Sequence, residues 1–133
     1  MILLDTNIIL RFILDNDPAL SPKAKAIFEN ISRKNIKVFV SLLTISEVIF
    51  TLERSYKLPK KALVDKLLAI ISQPNIIVEK QDLLKGIFSY YLNQNLSFVD
   101  SYHVTIMDKK GINQIHSFDR DFDKFPKIKR LQH

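Results

Sequence analysis

The sequence contains no cysteine, and only two of its 133 residues are glycine. Without cysteine the chain can form neither a disulfide nor a thiolate zinc site, and it has no thiol nucleophile. Gly86 and Gly111 are too far apart to form a GxGxxG dinucleotide fingerprint, a GxxxxGK[ST] phosphate loop or a GxSxG nucleophile elbow. Without a glycine-rich loop, any phosphate group must be bound by a metal or by basic side chains.

The chain also lacks a long hydrophobic run. Its longest uncharged stretch, residues 86–99, includes three side-chain amides and is shorter than the ~18 apolar residues of a membrane span. No basic region precedes the first apolar run, so we expect no secretory signal. The 47% hydrophobic and 26% charged residues are typical of a globular protein. We expect one domain over residues 1–133, cytoplasmic and without a membrane partner.

The charge balance favours an anionic partner, because 20 Lys and Arg residues against 14 Asp and Glu give a net charge of +6. Positive residues concentrate within positions 54–66, where the interpretation is either a solvated helix surface or a surface that follows an RNA backbone. The candidate RNA-binding residues there are Arg54, Lys57, Lys60 and Lys61, with Lys66 nearby. A second basic group comprises Lys124, Lys127, Lys129 and Arg130, and Tyr56, Tyr90 and Tyr102 are candidates for base stacking.

Hydrophobic periodicity predicts strands that alternate with helices. The predicted strands are 2–4, 38–40, 76–78, 113–117 and 129–131, and the predicted helices are 8–13, 22–33, 43–52, 59–72, 83–91 and 98–109. This alternation predicts an α/β fold in which helices cover a parallel sheet with right-handed crossovers. The sheet is expected to have four to five strands, with strands 2–4 and 113–117 buried.

Four carboxylates are predicted to meet at one edge of this sheet. Asp5 closes the first strand, and Glu47 lies in the first turns of the helix after the second strand. Asp100 begins the helix that leads into strand 113–117, and Asp119 follows that strand. Because ligand sites lie at the carboxyl ends of parallel strands, connectivity alone gathers these acids. Their mutual repulsion raises their pKa values unless a cation lies among them.

The donor set indicates which cation this would be. Oxygen ligands without cysteine or a histidine pair favour a hard ion, Mg²⁺ or Mn²⁺, over zinc. Such a site on a basic protein suggests metal-assisted hydrolysis of a phosphodiester, with one or two ions. A calcium loop starting at Asp119 is excluded, because Lys124 and Arg130 stand where that loop needs glycine and glutamate.

Each acid also has an interpretation that needs no metal. Asp5 could cap the following helix. Glu47 could be solvated, although its hydrophobic neighbours at i−4 and i+3 predict that it borders the core. Asp100 stands three residues after Ser97 and suits a helix N-terminus as a relative of the capping box.

Other chemistries remain alternatives. A metal-free ribonuclease would need a histidine pair, but we expect His103 on a helix surface or in the core, His116 in a buried strand and His133 at the terminus. Asp5 could form an aspartyl phosphate as a phosphotransferase, although Asn7 stands where the second acid is usual. The third alternative is a non-catalytic RNA-binding module with structural acids.

Four segments between residues 3 and 125 resemble, in order and spacing, the PIN domain of VapC-type toxins, and the resemblance extends over nearly the whole chain: LLDTNIIL, SLLTISEV, LSFVDSYHV and HSFDRDFDKF. The resemblance implies a three-layer α/β/α sandwich and a Mg²⁺-dependent endoribonuclease. It also implies a homodimer and a cognate antitoxin protein whose C-terminal segment enters the site. A PIN nuclease of RNA processing that is not a toxin is the alternative within this family.

The same resemblance assigns roles to residues. It implies an acidic quartet in which two members, Asp5 and Asp100, ligate the metal directly, and the quartet is Asp5, Glu47, Asp100 and Asp119. Polar residues that orient these carboxylates would be Thr6, Asn7 and Ser117. Asp121 matches a position that is often acidic, and it either assists or replaces Asp119.

Overall fold

The computed structural model describes residues 1–132, which divide into two compact units. The first unit is Met1–Asp82, and the second begins at Leu83. His133, expected at the terminus, lies outside the described residues. None of the helices within residues 1–132 is long and apolar enough to cross a membrane.

The first unit is a three-stranded parallel sheet with four helices in its connections. Its elements are β1 (Ile2–Leu3), α1 (Thr6–Leu14), α2 (Leu20–Arg33), β2 (Val38–Val40), α3 (Leu42–Arg54), α4 (Lys60–Ile71) and β3 (Ile76–Val78). The strand order is β1-β2-β3, with Val38 paired to both Ile2 and Ile76. Each crossover between neighbouring strands therefore contains two helices, as parallel pairing requires a long connection.

The first strand is more exposed than predicted. Leu4 is buried, but Ile2 and Leu3 are each more than half exposed. Within the described part of the first unit, β1 is the first strand in the order β1-β2-β3 and pairs with β2. The prediction of a buried strand over residues 2–4 is therefore wrong for its first two residues, because an apolar run does not reveal whether its strand is central or at an edge.

The second unit contains two helices and a two-stranded parallel sheet. Its elements are α5 (Gln81–Asn93, which starts at the end of the first unit), α6 (Phe98–Lys110), β4 (Gln114–His116), a 3₁₀ helix (Arg120–Lys124) and β5 (Lys129–Leu131). Ser97 caps α6, and Gly111 ends it in the left-handed conformation with φ +68°, as the sequence predicts.

The α/β class, the five strands and their parallel pairing are confirmed; β1, β2 and β3 pair within the first unit, and β4 and β5 pair within the second. The β4 backbone pairs with β5 in the register Ile115 to Arg130, so this ladder closes within the second unit. Burial of β4 was also predicted wrongly, because Gln114 and His116 are exposed and Ile115 is half-buried. The polar alternation of this strand suits a half-buried position.

A small hydrophobic cluster anchors the 3₁₀ helix of the second unit. Phe122 from the 3₁₀ helix packs with Leu96 and Val104, and Tyr90 and Phe125 pack around them. Phe122 is 3% exposed, whereas Phe118 in the preceding turn is 86% exposed. Burial of Phe122 therefore fixes the position of the acidic residues on either side of it.

Tyr90 is part of this packing and is not a free stacking platform. Its ring contacts Phe125 edge-on at a centroid distance of 5.5 Å, and its hydroxyl donates to the Asp108 carboxylate. The hydrogen bond to Asp108 and partial burial raise the pKa of Tyr90 to about 12. The suggestion that Tyr90 stacks on an RNA base is therefore not supported by its surroundings.

Replacing Phe122 by alanine is expected to destabilise the protein by about 3 to 5 kcal/mol, because a buried aromatic side chain leaves a cavity. Phe118→Ala, the matched control in the same segment, is expected to change the unfolding free energy by no more than about 0.5 kcal/mol. Urea unfolding of both variants measures the two values, and equal losses would contradict the packing role of Phe122.

Candidate metal centre

Three carboxylates of the second unit lie close enough to share a cation. Asp100 stands in the first turn of α6, Asp119 follows β4, and Asp121 lies in the 3₁₀ helix. One carboxylate oxygen from each lies within 4.8 Å of the others. Asp100 and Asp121 are half-buried and Asp119 is exposed, so the cluster is reached from solvent. Its all-oxygen donor set suits Mg²⁺ or Mn²⁺.

Asp100 owes its position to the capping of α6. The Ser97 hydroxyl accepts a hydrogen bond from the Asp100 backbone N–H at 3.1 Å. The fully buried Ser101 donates its hydroxyl to the Ser97 carbonyl at 2.8 Å, which ties the cap to the next turn. Asp100 therefore sits at the helix N-terminus, where a carboxylate is also favoured by the helix dipole.

Two short hydrogen-bonded turns place the other two acids. The Ser117 hydroxyl accepts from the Asp119 backbone N–H at 3.0 Å, and the Asp119 carboxylate accepts from the Asp121 backbone N–H at 2.8 Å. Asp119 thereby caps the 3₁₀ helix that carries Asp121. The Ser117 side chain thus contacts the backbone of Asp119, and the Asp119 side chain contacts the backbone of Asp121.

The electrostatics of the cluster fit a cation. Burial raises the pKa of Asp100 above its usual range, and the negative charges of Asp119 and then Asp121 raise it further. The Ser97 hydrogen bond and His103 act in the opposite direction. His103 Nδ1 lies 3.9 Å from the Asp100 carboxylate, and its side chain is about half exposed. A divalent cation among the three carboxylates would offset their repulsion.

The first unit carries the other two predicted acids. Asp5 occupies the N-cap position of α1, yet its carboxylate makes no capping hydrogen bond. The buried Thr6 donates its hydroxyl to the Glu47 carboxylate at 3.0 Å, which links the start of α1 to the middle of α3. Asn7 is exposed in the first turn of α1. Capping alone therefore does not account for Asp5.

The surroundings of Glu47 differ from the prediction. Leu43 and Phe50, its neighbours at i−4 and i+3, are 81% and 61% exposed, and Glu47 is exposed between them. The expectation that Glu47 borders the core is wrong, because Ile45, Ile49 and other residues on a different face of α3 are buried. Two apolar neighbours do not define the buried face when hydrophobic residues surround most of a helix.

Glu79 is a carboxylate that the sequence reasoning missed. It directly follows β3, and its side chain accepts a hydrogen bond from the Leu42 backbone N–H at 2.9 Å. Together with Ser41, whose hydroxyl accepts from the Thr44 N–H at 3.1 Å, it satisfies the N-terminus of α3. The rule that marked Asp5, an acid at the end of a strand, also marks Glu79.

The candidate RNA-binding residues of the first unit lie around the connection between α3 and α4. Arg54 ends α3 with its guanidinium 5.7 Å from the centre of the Phe50 ring. Lys57 is exposed in the connection, and Lys60 begins α4. Lys61 forms an exposed ion pair with Asp65 at 2.9 Å, a contact too weak to withhold it from a phosphate.

Two members of the second basic group, Lys124 and Arg130, are less available to an RNA backbone than predicted. Arg130 has a side chain that is only 8% exposed and is paired with Asp123 at 2.9 Å. Lys124 donates to the Gln94 carbonyl at 3.1 Å and lies 3.4 Å from the Asp121 carboxylate. Asp123, the partner of Arg130, was not among the predicted functional residues. Positions seven apart in an irregular segment give no periodic signal of such a pair.

Comparison with known proteins places these features in a family. The model of the PIN domain family matches residues 2–128. A VapC ribonuclease of Aquifex aeolicus is 27% identical over 124 residues, covering 93% of this chain and 91% of that protein. Ribonuclease VapC13 of Mycobacterium tuberculosis is 37% identical over 54 residues, 41% of each chain.

A solved structure also resembles the chain. It is the crystal structure of VapC20 of Mycobacterium tuberculosis, described as a sarcin-ricin loop cleaving toxin. The sequence identity is 24%, the match covers 93% of this chain and 94% of that chain, and the TM-score is 0.44.

Asp100→Asn is expected to raise the thermal midpoint of the metal-free protein at neutral pH. The pKa of Asp100 is raised in the folded state, so folding favours its protonated form and stability falls as pH rises above 3.8. The variant lacks this loss, so its advantage should shrink as pH falls through the raised pKa toward 3.8 and be absent below 3.8. Melting curves in EDTA across this pH range measure the effect.

Asp123→Asn supplies a control of opposite sign. The hydrogen bond from Arg130 lowers the pKa of Asp123, so its stabilising contribution is present above 3.8 and is lost as pH falls through the lowered value. This variant should melt below the wild type at neutral pH. Shifts of the same sign in both variants would contradict the account of the cluster's charges.

Proposed function

This chain belongs to the PIN domain family, and we propose that it is a Mg²⁺-dependent endoribonuclease that serves as the toxin of a toxin–antitoxin pair. The observation that carries the proposal is the convergence of Asp100, Asp119 and Asp121 within 4.8 Å. The family match and the similarity to a VapC ribonuclease over 93% of the chain support it. They also support treating residues 1–133 as one PIN-like nuclease domain.

Within this proposal, Asp5 and Asp100 ligate the metal directly, and Glu47 and Asp119 complete the site. The order of the elements supports this grouping, because Asp5 and Asp119 each follow a parallel strand. The Asp5 carboxylate makes no capping hydrogen bond, and the pKa of Asp100 is raised; both features fit a cation ligand. Asp121 assists Asp119, to which it is linked by a hydrogen bond. Mn²⁺ is expected to substitute for Mg²⁺.

The remaining residues of the site hold these carboxylates and the substrate. When bound, a divalent cation would lower the pKa of the attacking water and stabilise the charge on the leaving oxygen. Thr6 fixes the carboxylate of the exposed Glu47, which suits Glu47 to orient a water molecule. Asn7, one residue further along α1, and Ser117, beside Asp119, support the acids on their own elements.

The basic residues around the connection between α3 and α4 are proposed to follow the RNA backbone. Contacts of this kind give affinity without reading sequence, and they weaken as salt concentration rises. The proposed residues are Arg54, Lys57, Lys60 and Lys61. A cognate antitoxin, a homodimeric state and a cytoplasmic location complete the proposal, which takes them from the resemblance to VapC-type toxins and from the sequence.

Asp5→Asn and Asp100→Asn are each expected to reduce Mg²⁺-dependent RNA cleavage by at least about 100-fold, because a neutral amide is a poor ligand for a hard cation. Asp15→Asn is the matched control. Asp15 is exposed at the C-terminus of α1 with φ +48°, a conformation that asparagine adopts readily, so activity should be unchanged. Circular dichroism checks that each variant is folded.

The result that would contradict the proposal is undiminished cleavage by either folded variant. Binding of RNA in EDTA without cleavage when Mg²⁺ is added would instead indicate a non-catalytic binding module. Sequencing the RNA ends after brief expression of the wild type beside Asp5→Asn identifies the target. Cleavage at defined sites that stops cell growth would distinguish a toxin from a nuclease of RNA processing.

A further inference from the structure

The Arg130 guanidinium forms an unusually complete set of hydrogen bonds beside the acidic cluster. Its Nε and Nη2 donate to the two carboxylate oxygens of Asp123 at 2.9 and 3.1 Å, a bidentate pair. Its Nη1 donates to the Ser117 carbonyl at 3.2 Å. With the Gln132 amide oxygen turned toward the guanidinium, that oxygen accepts from Nη1 at 2.7 Å and from Nη2 at 3.0 Å.

These contacts decide whether Arg130 can bind a phosphate of RNA or instead connects segments of the second unit. A guanidinium has five N–H groups, and the contacts with Asp123, Ser117 and Gln132 use all five. The side chain is 8% exposed. A phosphate of RNA therefore has no donor to bind at Arg130, in contrast to the exposed Lys57. The arrangement instead connects β5 to both ends of the segment that precedes it.

The two ends of that segment bracket the metal-binding acids. Ser117 precedes Asp119 and Asp123 follows Asp121, so Arg130 fixes both sides of a seven-residue stretch that carries these two carboxylates. Phe122 holds the same stretch from the core side. Because like charges at Asp100, Asp119 and Asp121 repel, the stretch needs such restraint to keep its carboxylates near Asp100.

We propose that Arg130 is a positioning residue that, through Asp123 and the Ser117 carbonyl, holds Asp119 and Asp121 in the geometry in which they bind a divalent cation with Asp100. The inference rests on the proposed function and deepens it, since it concerns the metal affinity of the same site. Lysine cannot replace arginine here, because a single ammonium cannot bridge a carboxylate, a carbonyl and an amide in one plane.

The test measures Mn²⁺ binding directly, by electron paramagnetic resonance of the free ion, in the full chain. Arg130→Lys keeps the charge but loses the planar fork, and its Mn²⁺ affinity is expected to fall about tenfold. Asp123→Asn should weaken binding similarly, and the double variant should bind Mn²⁺ about as weakly as either single variant, because both remove the same interaction. Lys127 is an exposed lysine in the same region, so Lys127→Met is the control and should bind Mn²⁺ with wild-type affinity.

RNA cleavage supplies a second readout that separates positioning from substrate binding. Raising the Mg²⁺ concentration should restore most of the activity of Arg130→Lys, and the salt dependence of RNA binding should match the wild type. Wild-type Mn²⁺ affinity in folded Arg130→Lys would overturn the inference. So would a salt slope reduced by about one with unchanged Mn²⁺ affinity, since that marks a phosphate contact.

Failure of this inference can be told from failure of the proposed function. If wild-type protein binds no Mn²⁺, or Asp100→Asn binds it equally well, the proposed metal site itself is wrong. If Arg130→Lys does not fold, Asp123→Asn decides the question, since it preserves the shape of the exposed carboxylate. Normal Mn²⁺ affinity in folded Asp123→Asn overturns the role assigned to the pair.

Discussion

Repulsion among carboxylates is the constraint on which the second unit depends. Asp100, Asp119 and Asp121 come within 4.8 Å of one another, and the pKa of Asp100 is raised as a consequence of burial and these charges. Such an arrangement persists only if the surrounding structure holds each acid in place. A helix cap holds Asp100, and two hydrogen-bonded turns hold the others. The same constraint makes a divalent cation the natural occupant.

The net charge of the chain combines two different regions. Once the four proposed site acids are set apart, the 20 basic residues outnumber the remaining acids of the original 14 by two to one. An acidic centre that binds a cation and a basic surface that attracts RNA are both needed for metal-assisted cleavage of a polyanion. The modest overall excess of +6 hides this separation.

The sequence predicts those features that depend on local rules. Ser97 and Gly111 mark the two ends of α6, so the position of Asp100 in its first turn follows from capping alone. The strand before Asp119 is also predicted, over residues 113–117, and the structure has it at Gln114–His116. The apolar Leu43 and Phe50 predict that Glu47 borders the core, but tertiary packing buries another face of α3.

Long-range side-chain contacts could not be predicted from one sequence. The sequence predicts Arg130 only as one member of a basic group, whereas its burial and its pairing with Asp123 depend on how β5 pairs with β4. The contact of Thr6 with Glu47 joins residues 41 positions apart and likewise has no local signal. Glu79 could have been found, because it follows a predicted strand as Asp5 does.

The central claim is that the acidic residues form one divalent-cation site. Its most direct test is the anomalous difference map of crystals grown with Mn²⁺. The account predicts a Mn²⁺ peak within coordinating distance of the Asp100 carboxylate, beside the carboxylates of Asp119 and Asp121. A map with no peak at Asp100, or with Mn²⁺ bound only at carboxylates outside this set, would contradict it.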